Sequence, residues 1–144
     1  MSGATFEDAF NLLCGHKIGN GIHRTVYECR IRPDLVVKVE DDDHRDFANV
    51  MEDAFWADHQ FYRPVSRWLA PCAFLSPDGR ILLQKRCDPI VRSTHLPEKL
   101  PGFLTDVKTD NFGTLDGKVV CFDYALNLST PSVRMRKARW GRMT

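Results

Sequence analysis

No stretch of the 144-residue chain approaches the roughly 18 consecutive apolar residues that a membrane-spanning helix needs, so no membrane partner is expected. Met1 to Phe10 carries Glu7 and Asp8 and no basic segment, which does not fit a secretory signal. There is no CxxC pair and no HxxxH or HExxH spacing. The five cysteines, Cys14, Cys29, Cys72, Cys87 and Cys121, are scattered and odd in number. Reduced, mostly buried thiols in a cytoplasmic protein are expected rather than a zinc site or a disulfide framework. An excess of either charge is missing as well: 20 Lys and Arg face 19 Asp and Glu, so net charge favours no partner class. A balanced total still allows local basic patches. No internal repeat is visible. The chain is 43% hydrophobic and 27% charged, which excludes wholesale disorder, and its length suits one domain.

Along the chain, Thr5 to Leu13 predicts a short packing helix. Phe6, Phe10 and Leu13 recur at helical spacing, Thr5 is the N-cap candidate, and Glu7 and Asp8 suit the first turn. Ile18 to Gly21 predicts a turn between two strands, the second running from Thr25 to Ile31. Leu35 to Val39 predicts a third strand, followed by an acidic cluster, Glu40 to Asp43. Asp46 to Tyr62 shows helical periodicity through Phe47, Val50, Met51, Ala54, Phe55 and Ala57, with Pro64 limiting its end. Ser76-Pro77-Asp78-Gly79 predicts a hairpin between Ala73–Leu75 and Ile81–Leu83. Pro89 to Pro101, with three prolines, reads as a loop or very short helix. Asp116-Gly117 predicts the turn of a hairpin within Phe112 to Phe122, and Ser129 to Thr144 is a basic tail. The string predicts an α+β fold with an antiparallel sheet and one long helix.

Several residues carry chemistry. Gly19-x-Gly21 lies between two strand signals, which disfavours a dinucleotide fingerprint or a P-loop and leaves a plain hairpin turn as the ordinary reading. Lys38, alone in Val36-Val37-Lys38-Val39, must reach solvent or meet an anion. Glu52 and Asp53 are carboxylates in the middle of the following helix, and Glu52 adjoins its apolar positions. Asp106 and Asn111 stand five apart, and Asp123 is the first charge after the apolar strand Val119–Phe122. Asp and Asn oxygens of this kind serve Mg²⁺, and they equally form simple loop turns.

In order, Ile18-Gly19-x-Gly21-x-x-Arg24-x-Val26-Tyr27, Val36-Val37-Lys38, a helix with Glu52, Asp106-x-Lys108-x-x-Asn111 and Asp123-Tyr124-Ala125 resemble the protein-kinase-like fold from about Ile18 to Ala125. The style is closest to small, divergent bacteriophage-encoded kinase-like proteins. Aminoglycoside-phosphotransferase-like kinases share the skeleton. The resemblance implies a kinase-like N-lobe, an antiparallel sheet plus one αC-like helix, with a catalytic-loop hairpin. It implies ATP and Mg²⁺ as cofactors. Gly19 and Gly21 would cover the phosphates, and Lys38 would hold them, oriented by Glu52. Gln84 to Arg86, including Lys85, would be the hinge whose backbone meets adenine. Asp106 would accept the proton of the attacking hydroxyl, Lys108 would lie near the γ-phosphate, and Asn111 and Asp123 would hold Mg²⁺.

The departures from that pattern are specific. Arg24 stands where a third glycine is usual, where it could contact phosphate or block closure. Leu104-Thr105 replaces His-Arg, and Tyr124-Ala125 replaces Phe-Gly. The helical C-lobe is largely absent. The expected organisation is a minimal kinase-like domain, residues 1–128, with a basic tail, residues 129–144. Two readings follow: phosphoryl transfer from Mg·ATP to the chain itself or to a host protein, or a pseudokinase that binds and modulates a host factor. Both place the chain in the cytoplasm, that of the host if it is phage-encoded. Both expect a host protein or self-association to cover surface that a C-lobe would hide. The tail, with Arg134, Arg136, Lys137, Arg139 and Arg142, reads as a solvated terminus, as a segment docking on acid such as Glu40 to Asp43, or as a nucleic-acid contact.

Overall fold

The computed structural model describes residues 5–20, 24–41, 46–92, 95–125 and 132–141. Helix α1 (Phe6–Leu13) is fixed by local chemistry: the Thr5 hydroxyl accepts the Asp8 N–H at 3.1 Å, and the Asp8 carboxylate accepts the Thr5 N–H at 3.2 Å.

Strands β1 (Cys14–Asn20), β2 (Arg24–Cys29), β3 (Leu35–Glu40), β4 (Cys72–Leu75) and β5 (Ile81–Lys85) form one antiparallel sheet in the order β1-β2-β3-β5-β4. Val26 lies opposite Lys38, Lys38 opposite Leu82, and Val36 opposite Gln84. With a side-chain period of two, these residues and Arg24 share one face. Leu35, Val37, Val39 and Ile81 share the other, where Phe6, Phe10 and Leu13 of α1 pack on them. Phe10 meets Tyr27 edge-on at 5.1 Å.

Helix α2 (Ala48–His59) and the single turn α3 (Arg63–Ser66) follow β3. The expected apolar face of α2 is corrected: Phe47 and Val50 are exposed, and the buried positions are Ala48, Asn49, Glu52 and Phe55. The cause is tertiary, because the helix lies over the sheet face that carries Lys38 and Glu40, and its polar residues answer theirs. The Glu40 carboxylate accepts the Asn49 N–H at 3.1 Å, capping from a neighbouring strand a helix whose own N-cap, Phe47, sits in the left-handed region at φ 61° with no side-chain cap. Asn49 Nδ2 donates to the Lys38 and Arg80 carbonyls, each at 3.0 Å. Pro64 falls in the first turn of α3, where its missing N–H has no helical acceptor to lose.

A second core lies below α2, where Phe55, Leu69, Leu100, Phe103, Phe112 and Tyr124 meet. Around it run β6 (Asp88–Pro89), β7 (Lys99–Pro101), β8 (Phe112–Leu115), β9 (Lys118–Cys121) and β10 (Met135–Lys137). They form a β6-β8-β9 sheet and a β7-β10 pair. Asp116 at φ 52° and Gly117 at φ 78° make the two-residue turn of the β8–β9 hairpin. A side chain at Gly113 would place Cβ 2.7 Å from both the Asp88 carbonyl oxygen and Cys87 Cβ, so glycine permits β6 to approach β8. Backbone bonds from Ala70 N to Cys121 O (2.8 Å) and Cys121 N to Trp68 O (2.7 Å) tie the hairpin to the chain leaving α3.

Two expectations differ from this arrangement. Pro89 to Pro101 is not simply loop or helix, because its ends pair as β6 and β7. Nor is the described part of the tail simply a solvated end, because its backbone is held although most of its side chains are exposed. Met135–Lys137 pairs with Lys99–Pro101, and Trp140 packs edge-on against Phe112 at 4.8 Å. Glu40 is buried beneath α2, while Asp42, Asp43, Arg142 and the 128/129 boundary lie outside the described residues. Among the described residues no α-helix follows α3, and none is long and apolar enough to cross a membrane. The architecture is α+β, an antiparallel sheet with few helices.

Candidate functional site

Strand β3 is buried at all six positions, so Lys38 cannot reach water. Its side chain is 3% exposed, and its Nζ donates to Glu52 Oε1 at 2.5 Å and to the Phe122 carbonyl oxygen. Glu52 projects from α2 onto the same spot and is fully buried. It also accepts Arg24 Nη1 at 3.2 Å, Arg24 Nη2 at 3.3 Å, Gln84 Nε2 at 3.3 Å and the Tyr124 N–H at 2.8 Å. Burial by itself would raise the Glu52 carboxyl, but the adjacent Lys38 and Arg24 charges hold it below its ordinary 4.5.

Arg24 is the second cation. Its guanidinium donates from Nη2 to Asp123 Oδ1 at 2.8 Å and from Nη1 to Asn49 Oδ1 at 3.2 Å. Burial acts to lower its pKa, and Glu52 and Asp123 outweigh this and raise it. Lys38 and Arg24 against Glu52 and Asp123 is a balanced set of four charges.

The loop before β8 supplies a second group. Asn111 Nδ2 donates to Asp106 Oδ2 at 3.0 Å and to the Asp106 carbonyl at 3.2 Å. Lys108 Nζ stands 3.8 Å from Asp106 Oδ1, and both side chains are largely exposed. The Phe122 N–H donates to the Asn111 carbonyl at 2.9 Å, which links this loop to the strand end beside Lys38.

Of the residues singled out from sequence, Lys38, Glu52, Gln84 and Asp123 thus share one cluster, and Asp106, Lys108 and Asn111 share another. Gly19 lies opposite Val26, and a Cβ there would meet nothing within 4 Å, so the space around it is open. Gly21 lies outside the described residues. Lys85 pairs with Leu35, which turns its side chain to the other sheet face, where it meets Asp34 at 2.9 Å. Its N–H donates to the Pro71 carbonyl and that of Arg86 to the Asp34 carbonyl, each at 2.9 Å, so neither is free for a base. Asn49 was missed; its signal is the i, i+3 spacing to Glu52 on one helix face. Arg24 was read only as a departure, and it is a central member of the cluster.

Two clefts open nearby, and neither reaches Lys38. One of about 470 Å³ is lined by Gly15, Glu28, Arg30 and Arg86, the other of about 400 Å³ by Asp34, Lys85, Asp88 and Asp116. Nucleophilic sulfur chemistry is disfavoured, since burial pushes the Cys14 and Cys87 thiols up to about 11 and Cys72 to about 12.

Two oxygens, one each from Asn111 and Asp123, suit Mg²⁺. Asn111 gives its amide nitrogen to Asp106, which leaves its carbonyl oxygen as a hard acceptor. Asp123 is half exposed, with one oxygen held by Arg24 and the other without a hydrogen-bond donor among the described residues. One carboxylate and one amide oxygen fit a cation whose other ligands are phosphate oxygens and water. Among the described residues no three His, Cys, Asp or Glu side chains gather as a metal cluster, so such an ion would depend on its nucleotide.

No protein-family model matches the chain, and no curated protein is found to be similar to it.

Proposed function

We propose that the chain is a minimal kinase-like protein that binds Mg·ATP and transfers the γ-phosphoryl group to itself or to a host protein. The observation that supports this most is the buried Lys38–Glu52 pair, formed between β3 and α2 and braced by the Tyr124 N–H. A lysine paired with a carboxylate between sheet and helix would orient phosphates once the Phe122 carbonyl gives up its contact with Nζ and opens the site, and phosphoryl transfer depends mainly on positioning and charge neutralisation. In the proposed reaction an acceptor hydroxyl oxygen bonds to the γ-phosphorus, the bond to the β-phosphate oxygen breaks, and ADP leaves with the electron pair. The hydroxyl proton goes to Asp106, which Asn111 orients, and Lys108 offsets charge near the transferring group. Mg²⁺, held by Asn111 and Asp123, supplies charge neutralisation when bound.

A second reading is a pseudokinase acting as a protein-binding modulator of a host factor. Its support is the 2.8 Å contact between Arg24 and Asp123, which sets a guanidinium on a proposed metal ligand. Exposed Phe61, at 90%, and Val91, at 73%, offer apolar contact for a host protein or a second copy.

Transfer of label from γ-labelled ATP separates the two. The first reading expects incorporation by the wild type and at least a hundredfold loss in Asp106→Asn, the scale of losing a positioned base. Absence of transfer by the wild type, or undiminished transfer by Asp106→Asn, overturns it.

A further inference from the structure

We infer that the β7–β10 ribbon binds the phosphodiester backbone of a nucleic acid. The register sets Lys99 directly opposite Lys137, with Arg136 opposite Leu100 and Arg134 and Arg139 flanking β10. Like charges facing each other across a strand pair weaken it. All five side chains belong to exposed residues, and none is in an ion pair among the described residues. Arg136 gives one hydrogen bond, to the Gly102 carbonyl at 3.2 Å. The ribbon's one acid, Glu98, is likewise outside any such pair. Among the described residues the fold therefore holds a concentrated positive charge with no ion-paired acid.

The chemistry of the ribbon selects among anionic partners. A protein interface sets apolar and aromatic anchors at its centre and depletes charge there, whereas the exposed side chains of this ribbon are cationic apart from Met135. Trp140, three residues beyond β10, is turned inward, with its ring on Phe112 and Nε1 donating to the Pro97 carbonyl at 2.8 Å. It cannot serve as a stacking platform for bases. What fits is a regularly repeating anion contacted through phosphate and read without sequence preference. The Gly141 N–H donates to the Val107 carbonyl at 3.1 Å, so the ribbon lies beside the loop of Asp106.

Fluorescence anisotropy of the full chain with a labelled 20-nucleotide single strand, and with its duplex, tests this without any nucleotide cofactor. Four phosphate contacts give a log–log salt slope of about −3 on the single strand, or a loss of about fifty-fold between 50 and 200 mM salt. The Lys137→Ala/Arg139→Ala variant should bind at least tenfold more weakly with a slope reduced by about 1.4, while Lys118→Ala on the β8–β9 hairpin should bind as the wild type does. Circular dichroism of the variants checks their folding. Absence of binding, a flat salt response, an unchanged double variant, or tighter binding of polyglutamate or anionic phospholipid vesicles overturns the inference. None of these outcomes touches the Lys38 site, so the kinase-like reading stands or falls separately.

Discussion

Replacing Glu52 by glutamine removes the charge that two buried cations share. Lys38 and Arg24 have side chains only 3% and 10% exposed, and among the described residues Arg24 would keep the half-exposed Asp123 as its one ion-pair partner. Breaking a buried pair from one side costs about 3–5 kcal/mol, so Glu52→Gln is expected to lose about 4 kcal/mol. Lys38→Met is the informative comparison. It leaves Glu52 with both Arg24 contacts, Gln84 and the Tyr124 N–H, and removes two charge-assisted bonds, to Glu52 and to the Phe122 carbonyl, about 3 kcal/mol together. Urea unfolding should show midpoints lower by about 2 M and about 1.5 M respectively, taking a slope of about 2 kcal/mol/M. The sign with pH also follows. Because the folded Glu52 carboxyl lies below its ordinary 4.5, its contribution is complete above that value and is lost as pH falls below it. The gap between wild type and Glu52→Gln should therefore narrow as pH falls below 4.5. A Lys38→Met loss equal to or larger than that of Glu52→Gln, or a Glu52→Gln loss under about 1 kcal/mol, would refute Glu52 as the hub of the cluster.

Arg24→Ala should free an Asp123 oxygen and raise the affinity for Mg·ADP about tenfold, the scale of one charge-assisted bond, measurable by calorimetry; weaker binding would mean that Arg24 itself contacts phosphate. Gly113→Ala should destabilise by about 1–3 kcal/mol, because the new Cβ meets backbone of the adjoining strand, whereas Gly19→Ala should leave unfolding within about 0.5 kcal/mol. Trp140→Ala should cost about 3 kcal/mol and remove hydrogen-exchange protection at Met135–Lys137, since its ring and Nε1 anchor the segment.

The parts of the fold legible in sequence are those set by neighbours along the chain. The Thr5–Asp8 capping box, the Asp116-Gly117 turn and the Ser76–Gly79 turn each carry their geometry in a few residues. Lys38 was legible because a lone charge in an apolar strand requires a partner, and Glu52 because it stands in the middle of the next helix. The face of α2 was not, since periodicity assumes that buried means apolar, and here Asn49 and Glu52 face the polar groups of the sheet. Strict alternation along Ile81–Lys85 already separates the Lys85 side chain from that of Gln84. The pairing of the tail depends on Trp140 reaching Phe112 and Pro97 far along the chain, which no local pattern encodes. Arg24 stood out as an anomaly, and its role required knowing that Glu52, Asn49 and Asp123 converge on one point.

Nucleotide binding at this cluster is the central claim, and thermal unfolding with Mg·ATP tests it most directly. A ligand present at a hundred times its dissociation constant adds about 2.7 kcal/mol to the folded state, or roughly 8 °C for a chain of this size. Binding at this cluster should give an upward shift of that order for the wild type and little or none for Asp123→Ala, each against its own nucleotide-free baseline. No wild-type shift at saturating nucleotide, or an equal shift in Asp123→Ala, would contradict it.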